Sequence, residues 1–230
     1  MLRDAIDEYH DLLDDELAAE SQHHLDAQLA HRGLLFGGRA LCSVLRPRFI
    51  SASQYRFLQR RAALVLSAFK TAHQAALADD ALLAQFRLAD WELALVRTDP
   101  GFRDPSPVSR LDAFFVGETG GLRFTEYNAE TPAGGGYNDA LTEMFYGLPV
   151  MREFLRRWDL RPLPARHNVL HAMVDAYPER SEGSSFGGAL AAHRSRRPRR
   201  NSPCCTPGLS PFALASRIAM SAIFCTVHSK

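Results

Sequence analysis

The sequence predicts an α+β fold in which a largely helical N-terminal region precedes an antiparallel β-hairpin and further helices, followed by a disordered C-terminal tail. Three observations support this. Apolar residues recur at helical spacing through much of the first hundred residues. Two runs of alternating apolar residues, 110–116 and 122–128, flank a glycine-rich turn, which is typical of a hairpin. Beyond residue 177 the periodicity is lost. We therefore divide the chain into 1–98, 99–177 and 178–230.

The N-terminal region is predicted to contain four helices. The first is acidic and amphipathic and runs from Leu2 to about Ala30, because its apolar residues recur every three or four positions. Ser51 or Ser53 caps the second helix, Asp79 caps a third that runs through Phe86, and Asp90 caps a short fourth that runs through Val96. Histidines in the first helix lack the i, i+4 spacing of a helical zinc site, so we expect them to be packed or solvated.

Three oxygen-bearing side chains lie on the predicted hairpin, namely Asp112, Glu126 and Asn128. A three-residue loop at 118–120 pairs Gly117 with Gly121, which sets Asp112 opposite Glu126 and Arg110 opposite Asn128. Directly opposed side chains have Cβ atoms roughly 5 Å apart. Two carboxylates and an amide oxygen on one face are hard ligands that suit Mg²⁺ held together with phosphates.

Two alternatives stay open for this hairpin. A two-residue turn slips the register by one residue and separates Asp112 from Glu126, which removes the metal site. In the other, the carboxylates are merely solvated and the glycine run after them is only a loop. If the site exists, the backbone amides of the glycine run lie well placed to receive an anion, and a helix is expected to begin near Asn138 and Asp139. That run comprises Ala133, Gly134, Gly135 and Gly136.

This stretch resembles the metal-binding end of ATP-grasp ligases, such as the D-alanyl-D-alanine ligases. The matching residues are Arg110, Asp112, Glu126 and Asn128, followed by Pro132 and Gly134. Their place in the middle of the chain resembles the circularly permuted branch, which includes glutathionylspermidine synthetase and uncharacterised bacterial relatives. The resemblance implies that the Asp, Glu and Asn hold Mg²⁺ between the ATP phosphates. It also implies that Arg110 is catalytic and contacts the transferring phosphate, and that a small-molecule carboxylate and an amine are joined through an acyl phosphate.

The resemblance covers only part of the family's fold, so an incomplete ATP-grasp fold is expected. Family enzymes need a lysine-bearing nucleotide lobe, whereas Lys70 and Lys230 are the only lysines here. The abrupt change of composition after residue 177 suggests a truncated or frame-shifted reading of a longer gene. We therefore expect a ligase fragment that keeps the magnesium and phosphate half-site and is inactive alone. The alternatives are a non-enzymatic helical module that binds a protein partner, and a metal-dependent phosphohydrolase that also uses Glu130 and Asp139.

Composition argues against several other classes of partner. Basic residues on the second helix lack interleaved aromatic residues, so no nucleic-acid partner is expected. The apolar stretch at 212–227 contains Arg217 and is too short to span a bilayer. Four cysteines without a disulfide framework or zinc spacing favour a cytoplasmic location. No oligomeric state is predicted.

Overall fold

The computed structural model describes residues 1–99, 106–117, 121–129, 133–176 and 224–229. Helices and small sheets alternate along the chain, which confirms the predicted class at the level of a mixed helical and sheet fold. The helices are α1 Leu2–Asp11, α2 Asp15–His31, α3 Ala52–Ala78, α4 Asp80–Ala84, α5 Asp90–Val96, α6 Gly135–Gly147, α7 Pro149–Phe154 and α8 Arg166–Ala176. The strands are β1 Leu35–Phe36, β2 Arg39–Ala40, β3 Arg48–Ile50, β4 Arg110–Val116, β5 Gly121–Asn128, β6 Trp158–Pro162 and β7 Phe224–Ser229.

The first predicted helix is divided in two. Helix α1 ends at Asp11, and α2 begins at Asp15 after the extended residue Asp14. The side chain of Asp14 accepts a hydrogen bond from the backbone N–H of Leu17 at 2.8 Å, which satisfies one of the free N–H groups at a helix start. The prediction of one continuous helix was wrong because the apolar spacing continues across this internal N-cap and does not reveal it.

The largest core lies where α1 and α2 pack against α6 and α7. Its centre is an aromatic cluster in which Phe154 is fully buried, stacks on Phe49 at a centroid distance of 5.2 Å, and meets Tyr9 edge-on at 5.1 Å. Trp158 also stacks on Phe154, at a centroid distance of 5.9 Å. Residues on both sides of the predicted boundary at 98 share this core, while the boundaries at 98 and 177 themselves stay predictions.

Two of the three predicted caps in the middle of the chain are confirmed. Ser51 accepts from the N–H of Gln54 at 3.1 Å, and the Gln54 side chain accepts from the N–H of Ser51 at 3.0 Å, which forms a capping box at the start of α3. Asp79 caps α4 through one carboxylate oxygen. The prediction that Asp90 caps α5 was wrong, because Ala89 occupies the N-cap position and Asp90 is the first residue of the helix.

Strands β4 and β5 form the predicted hairpin, with Asp112 opposite Glu126 and Arg110 opposite Asn128. The predicted pairing of Gly117 with Gly121 was wrong, because Val116 lies opposite Gly121. A β-bulge at Thr125 inserts one extra residue into β5 and restores the register beyond it. The Thr125 hydroxyl donates to the backbone carbonyl of Asp112 at 3.1 Å, which stabilises the bulge.

The back of the hairpin packs on α3. Leu111, 1% exposed, contacts Ala62 and Leu66 of that helix, and Phe115 lies nearer the turn in a second cluster with Leu58. Helices α6 and α7, which follow the hairpin, bury their apolar residues in the main core, and α3 supports this face of the hairpin.

Gln54 and Arg48 fix the hairpin near its turn. The Gln54 side-chain amide donates to the carbonyl of Gly117 at 3.1 Å, and the Arg48 guanidinium donates to the carbonyl of Phe115 at 2.7 Å. Arg48 is the first residue of β3, and Gln54 lies in the first turn of α3. The hairpin is therefore held at its turn by hydrogen bonds and along its back by apolar contacts.

The C-terminal tail is not wholly disordered. Residues 224–229 form β7, which lies between β3 and β6, parallel to the first and antiparallel to the second. The prediction of disorder was wrong for these six residues, because a run of aromatic, β-branched and small residues suits a strand that is paired on both sides. The rest of the predicted tail, 178–223 and Lys230, lies outside the described residues.

Candidate functional site

Four polar side chains meet on the front of the hairpin, the face that points away from α3. We call Arg110, Asp112, Glu126 and Asn128 the hairpin patch. The ladder sets them in two adjacent rows, Arg110 with Asn128 and Asp112 with Glu126. The four predicted residues are thus brought onto one face, although the register depends on the bulge rather than on the predicted loop.

The strongest contact in the hairpin patch joins Arg110 to Asp112. Arg110 donates from Nε to Oδ1 at 2.7 Å and from Nη2 to Oδ2 at 3.2 Å, so the pair is bidentate. The two side chains are only 21% and 23% exposed. Arg110 also donates from Nη1 to the carbonyl of Ala133 at 3.0 Å. The guanidinium therefore links the hairpin to the segment that enters α6.

Asn128 connects the remaining two members of the hairpin patch. With its amide nitrogen directed at Glu126, Nδ2 donates to Oε1 of Glu126 at 3.0 Å and Oδ1 accepts from Nη2 of Arg110 at 3.2 Å. The opposite amide orientation sets oxygen against acceptors and nitrogen against donors, so the hydrogen-bond network selects this one. Glu126 is exposed and lies at the outer end of the network.

The electrostatics of the hairpin patch favour a permanently charged arginine. The hydrogen bonds that Arg110 donates to Asp112 raise the pKa of Arg110, and the negative charges of Asp112 and Glu126 act in the same direction against the opposing effect of burial. Four of the five guanidinium N–H groups of Arg110 are already used by Asp112, Asn128 and Ala133. Arg110 thus acts as a brace for the patch, with one N–H left to offer a ligand.

The glycine run forms the beginning of α6. Gly134 is the N-cap with φ +112°, a conformation that side chains disfavour, while Gly135 and Gly136 belong to the first turn. We had expected the helix to begin near Asn138, so its start was placed too late. Because α6 begins earlier than predicted, Gly135 and Gly136 lie in its first turn. The backbone N–H groups of a first helical turn have no partner within the helix, so they are still available to receive an anion.

The donor set fits Mg²⁺ only when phosphate oxygens complete the coordination. Among the residues that the structure describes, no three Asp, Glu, His or Cys side chains converge on one point where a metal could sit. The hairpin patch contains two carboxylates and one amide oxygen, but the Asp112 carboxylate and the Asn128 amide oxygen are both shared with Arg110. Magnesium in proteins is often held by one or two carboxylates together with substrate phosphates, and the patch matches that arrangement.

Asp139 has a structural role that the sequence did not indicate. It is 7% exposed, and its oxygens accept hydrogen bonds from the backbone N–H groups of Ala165 at 2.8 Å and Arg166 at 3.0 Å. Asp139 therefore caps α8 from a neighbouring helix, and both of its carboxylate oxygens accept hydrogen bonds there. The phosphohydrolase alternative loses this candidate, and its other candidate, Glu130, lies outside the described residues.

Arg123 is an exposed basic residue on the same face of the hairpin as the hairpin patch, a position that the sequence did not predict. In the predicted register without a bulge, Arg123 lies on the back of the hairpin with Phe115. The extra residue at Thr125 reverses the faces, so Leu122 and Phe124 turn to the back, while Arg123 lies on the front opposite Phe114. The apolar character of Leu122 and Phe124 was the signal available, because both residues need burial.

No helix within the described part of the chain combines the length and the apolar character needed to cross a membrane. No protein-family model, curated protein or solved structure matches the chain.

Proposed function

We propose that this chain carries the magnesium and phosphate half-site of an ATP-dependent carboxylate-amine ligase related to the circularly permuted ATP-grasp enzymes. The observation that supports this most is the pairing of Asp112 with Glu126, next to the pairing of Arg110 with Asn128. The resemblance assigns those four residues to one magnesium and phosphate site, which requires that they share a face. The resemblance also implies an adenine pocket and the other parts of that fold, and these are expected from the family alone.

The proposed reaction is amide formation through an acyl phosphate. A substrate carboxylate attacks the γ-phosphorus of ATP, the bond to the β-phosphate oxygen breaks, and ADP leaves. An amine then attacks the carbonyl carbon, loses a proton, and expels inorganic phosphate to leave the amide. Both steps gather negative charge on phosphate oxygens, so neutralising that charge is the main contribution a protein makes.

Each member of the hairpin patch has a part in that scheme. Asp112, Glu126 and Asn128 would hold Mg²⁺ through their oxygen atoms, and the ion would supply neutralisation of the phosphate charge. Arg110 keeps Asp112 in place through its bidentate pair. The N–H groups of Gly135 and Gly136 at the start of α6 are donors suited to the acyl phosphate. The chain contains only two lysines, which supports a half-site that is inactive as a ligase alone.

The cellular setting belongs to the same proposal. Cys42 is a buried free thiol, and a reduced thiol of this kind suits the cytoplasm. Small-molecule carboxylates and amines are the proposed substrate classes, with ATP and Mg²⁺ as the co-substrate and metal.

Calorimetric titration of the full chain with ATP in the presence of Mg²⁺ tests the half-site. We expect a dissociation constant of about 1 mM or below, which corresponds to about 4 kcal/mol of binding free energy. Asp112→Asn and Glu126→Gln each remove one carboxylate ligand with little change of shape, so each should abolish the magnesium-dependent part of the heat. Unchanged binding in both variants contradicts the proposal.

Asp80→Asn is a matched control for these substitutions. Asp80 also pairs with an arginine, Arg97, at 2.6 Å, but it lies on α4 away from the hairpin and its side chain is 85% exposed. The control removes one carboxylate and one ion pair without touching the hairpin patch. ATP binding by this variant should equal that of the unmodified chain, and thermal unfolding of all three variants should verify that they remain folded.

A second candidate function, a helical module that binds a protein partner, is favoured by a separate surface. Trp91 and Leu95 of α5 are 67% and 64% exposed, and their i, i+4 spacing sets them on one side of that helix. Phe86, 58% exposed, lies just before it. Neighbouring exposed apolar side chains of this size are typical of interaction surfaces. Absence of any heat with Mg²⁺ and ATP favours this candidate over the half-site.

A further inference from the structure

We propose that Arg123 is the arginine that contacts the phosphate groups of the ligand, and that Arg110 is a positioning residue for Asp112. This assignment rests on the proposed function and changes the role that the resemblance gives to Arg110. It identifies the ligand class of the front of the hairpin as a polyphosphate chain, bound at one end by the hairpin patch and at the other by Arg123.

The first argument is that Arg110 is already engaged. Its guanidinium forms both hydrogen bonds of a bidentate pair with Asp112 and a further one with the carbonyl of Ala133. Turning Arg110 toward a phosphate would leave a carboxylate that is only 23% exposed without its partner. Removing one member of such a pair exposes the other to an uncompensated desolvation cost. Arg110 therefore remains with Asp112 and orients it.

The second argument is that Arg123 is exposed and available. Among the residues that the structure describes, none forms an ion pair or a side-chain hydrogen bond with Arg123. The other arginine close to the hairpin turn, Arg48, is occupied by the carbonyl of Phe115. Arginine presents a planar fork of donors that matches two phosphate oxygens at once. An exposed arginine beside two carboxylates can thus receive the part of an anion that the metal does not contact.

The third argument is position. The pair of Phe114 with Arg123 is the next front-facing pair after Asp112 with Glu126, because the intervening pair faces α3. Same-face neighbours along a strand are about 7 Å apart, a span that successive phosphate groups and a long arginine side chain can bridge. The bulge at Thr125 is what sets Arg123 on this side, and bulges commonly redirect a side chain beside a functional site.

Binding of tripolyphosphate to the full chain, measured by calorimetry with and without Mg²⁺, tests the assignment. Arg123→Gln should weaken binding about tenfold under both conditions, because the arginine contacts phosphate directly and not through the metal. The ratio of the two affinities should stay as in the unmodified chain. In Asp112→Asn and Glu126→Gln, which remove metal ligands, the affinities with and without Mg²⁺ should become equal.

Two further variants complete the test. Arg123→Lys should recover part of the affinity, because a point charge remains while the bidentate geometry is lost. Arg39→Gln, which removes an exposed arginine on the separate hairpin of β1 and β2, should bind as the unmodified chain does.

The possible failures are distinguishable. If the unmodified chain binds tripolyphosphate with a magnesium-dependent increment and Arg123→Gln binds equally well, the assignment of Arg123 is overturned while the half-site stands. A loss confined to the magnesium-dependent increment in Arg123→Gln also overturns the assignment, because it shows an effect through the metal ligands. If the unmodified chain does not bind tripolyphosphate under either condition, the half-site and the role of Arg123 are both refuted.

Discussion

Replacing Arg110 with Gln should lower the stability of the fold through one identifiable contact. The pair with Asp112 is bidentate, with distances of 2.7 and 3.2 Å, and the side chains are 21% and 23% exposed. A hydrogen bond to a charged group contributes about 1.5–3 kcal/mol when buried, whereas an exposed ion pair contributes about 0.2–1 kcal/mol. The partial burial of this pair sets the expected coupling energy between those limits, at about 1–2 kcal/mol.

A double-mutant cycle measures that energy. Urea unfolding of the unmodified chain, Arg110→Gln, Asp112→Asn and the double variant isolates the interaction from the other contacts that each side chain makes. Arg110→Gln alone should lower Tm by about 3–6 °C or more, since about 1 kcal/mol corresponds to about 2–4 °C for a chain of this length. The single variant also loses the bond to Ala133, so its total cost exceeds the coupling energy.

The same cycle at Arg97 and Asp80 provides the comparison. That pair has one short contact of 2.6 Å, but its side chains are 49% and 85% exposed, so we expect a coupling below about 0.5 kcal/mol. A coupling at Arg110 and Asp112 no larger than at this exposed pair would refute the view that Arg110 is committed to bracing the hairpin patch.

Three further predictions concern the fold around the site. Gly134→Ala should destabilise the chain by about 1–3 kcal/mol because φ is +112°, whereas Gly136→Ala, with open space around the added methyl, should stabilise it by about 0.5 kcal/mol in the same urea assay. Phe154→Ala should cost about 3–5 kcal/mol, since the ring is fully buried among aromatic partners, and a loss below about 1 kcal/mol would contradict that packing. The hydrogen bond that Arg32 donates to Glu143 lowers the pKa of this carboxyl below 4.5. The stability that the carboxylate contributes is therefore present above about pH 4.5 and is lost as the pH falls through the lowered pKa. Glu143→Gln should be less stable than the unmodified chain at pH 7, and the difference should disappear in acid.

The hairpin shows how far local sequence patterns reach. Alternation of apolar residues was enough to predict the two strands. The pairs of Asp112 with Glu126 and Arg110 with Asn128 were predicted from a three-residue loop, and they are present because the bulge offsets the error in that loop. The pattern could not reveal that the pairing near the turn is offset by one residue and that Thr125 compensates for it. A bulge adds one residue to a strand and leaves no characteristic residue type in the sequence. The only indication of it was that Leu122 and Phe124 are apolar and need burial.

The helices illustrate a different limit. Predicted caps at Ser51 and Asp79 were right because the capping interactions are local, within three residues of the cap. The interruption at Asp14 was missed because the apolar spacing continues across it. Which helix covers the hairpin could not be predicted from periodicity, since α3 and α6 both have apolar sides and only tertiary packing decides between them. Asp139 shows the same limit, because its capping partner lies on another helix.

Strand β7 occupies the middle position of its sheet although β3 and β6, its neighbours on either side, precede it in the chain. During synthesis, β3 and β6 therefore leave the ribosome with unpaired backbone N–H and C=O groups along one edge. These groups are paired only after β7 has been synthesised. Such an order raises the entropic cost of completing the sheet, slows folding, and leaves two edges open to pairing with other chains in the meantime. Newly made copies should thus depend more on dilution and chaperones than the helical core alone would require.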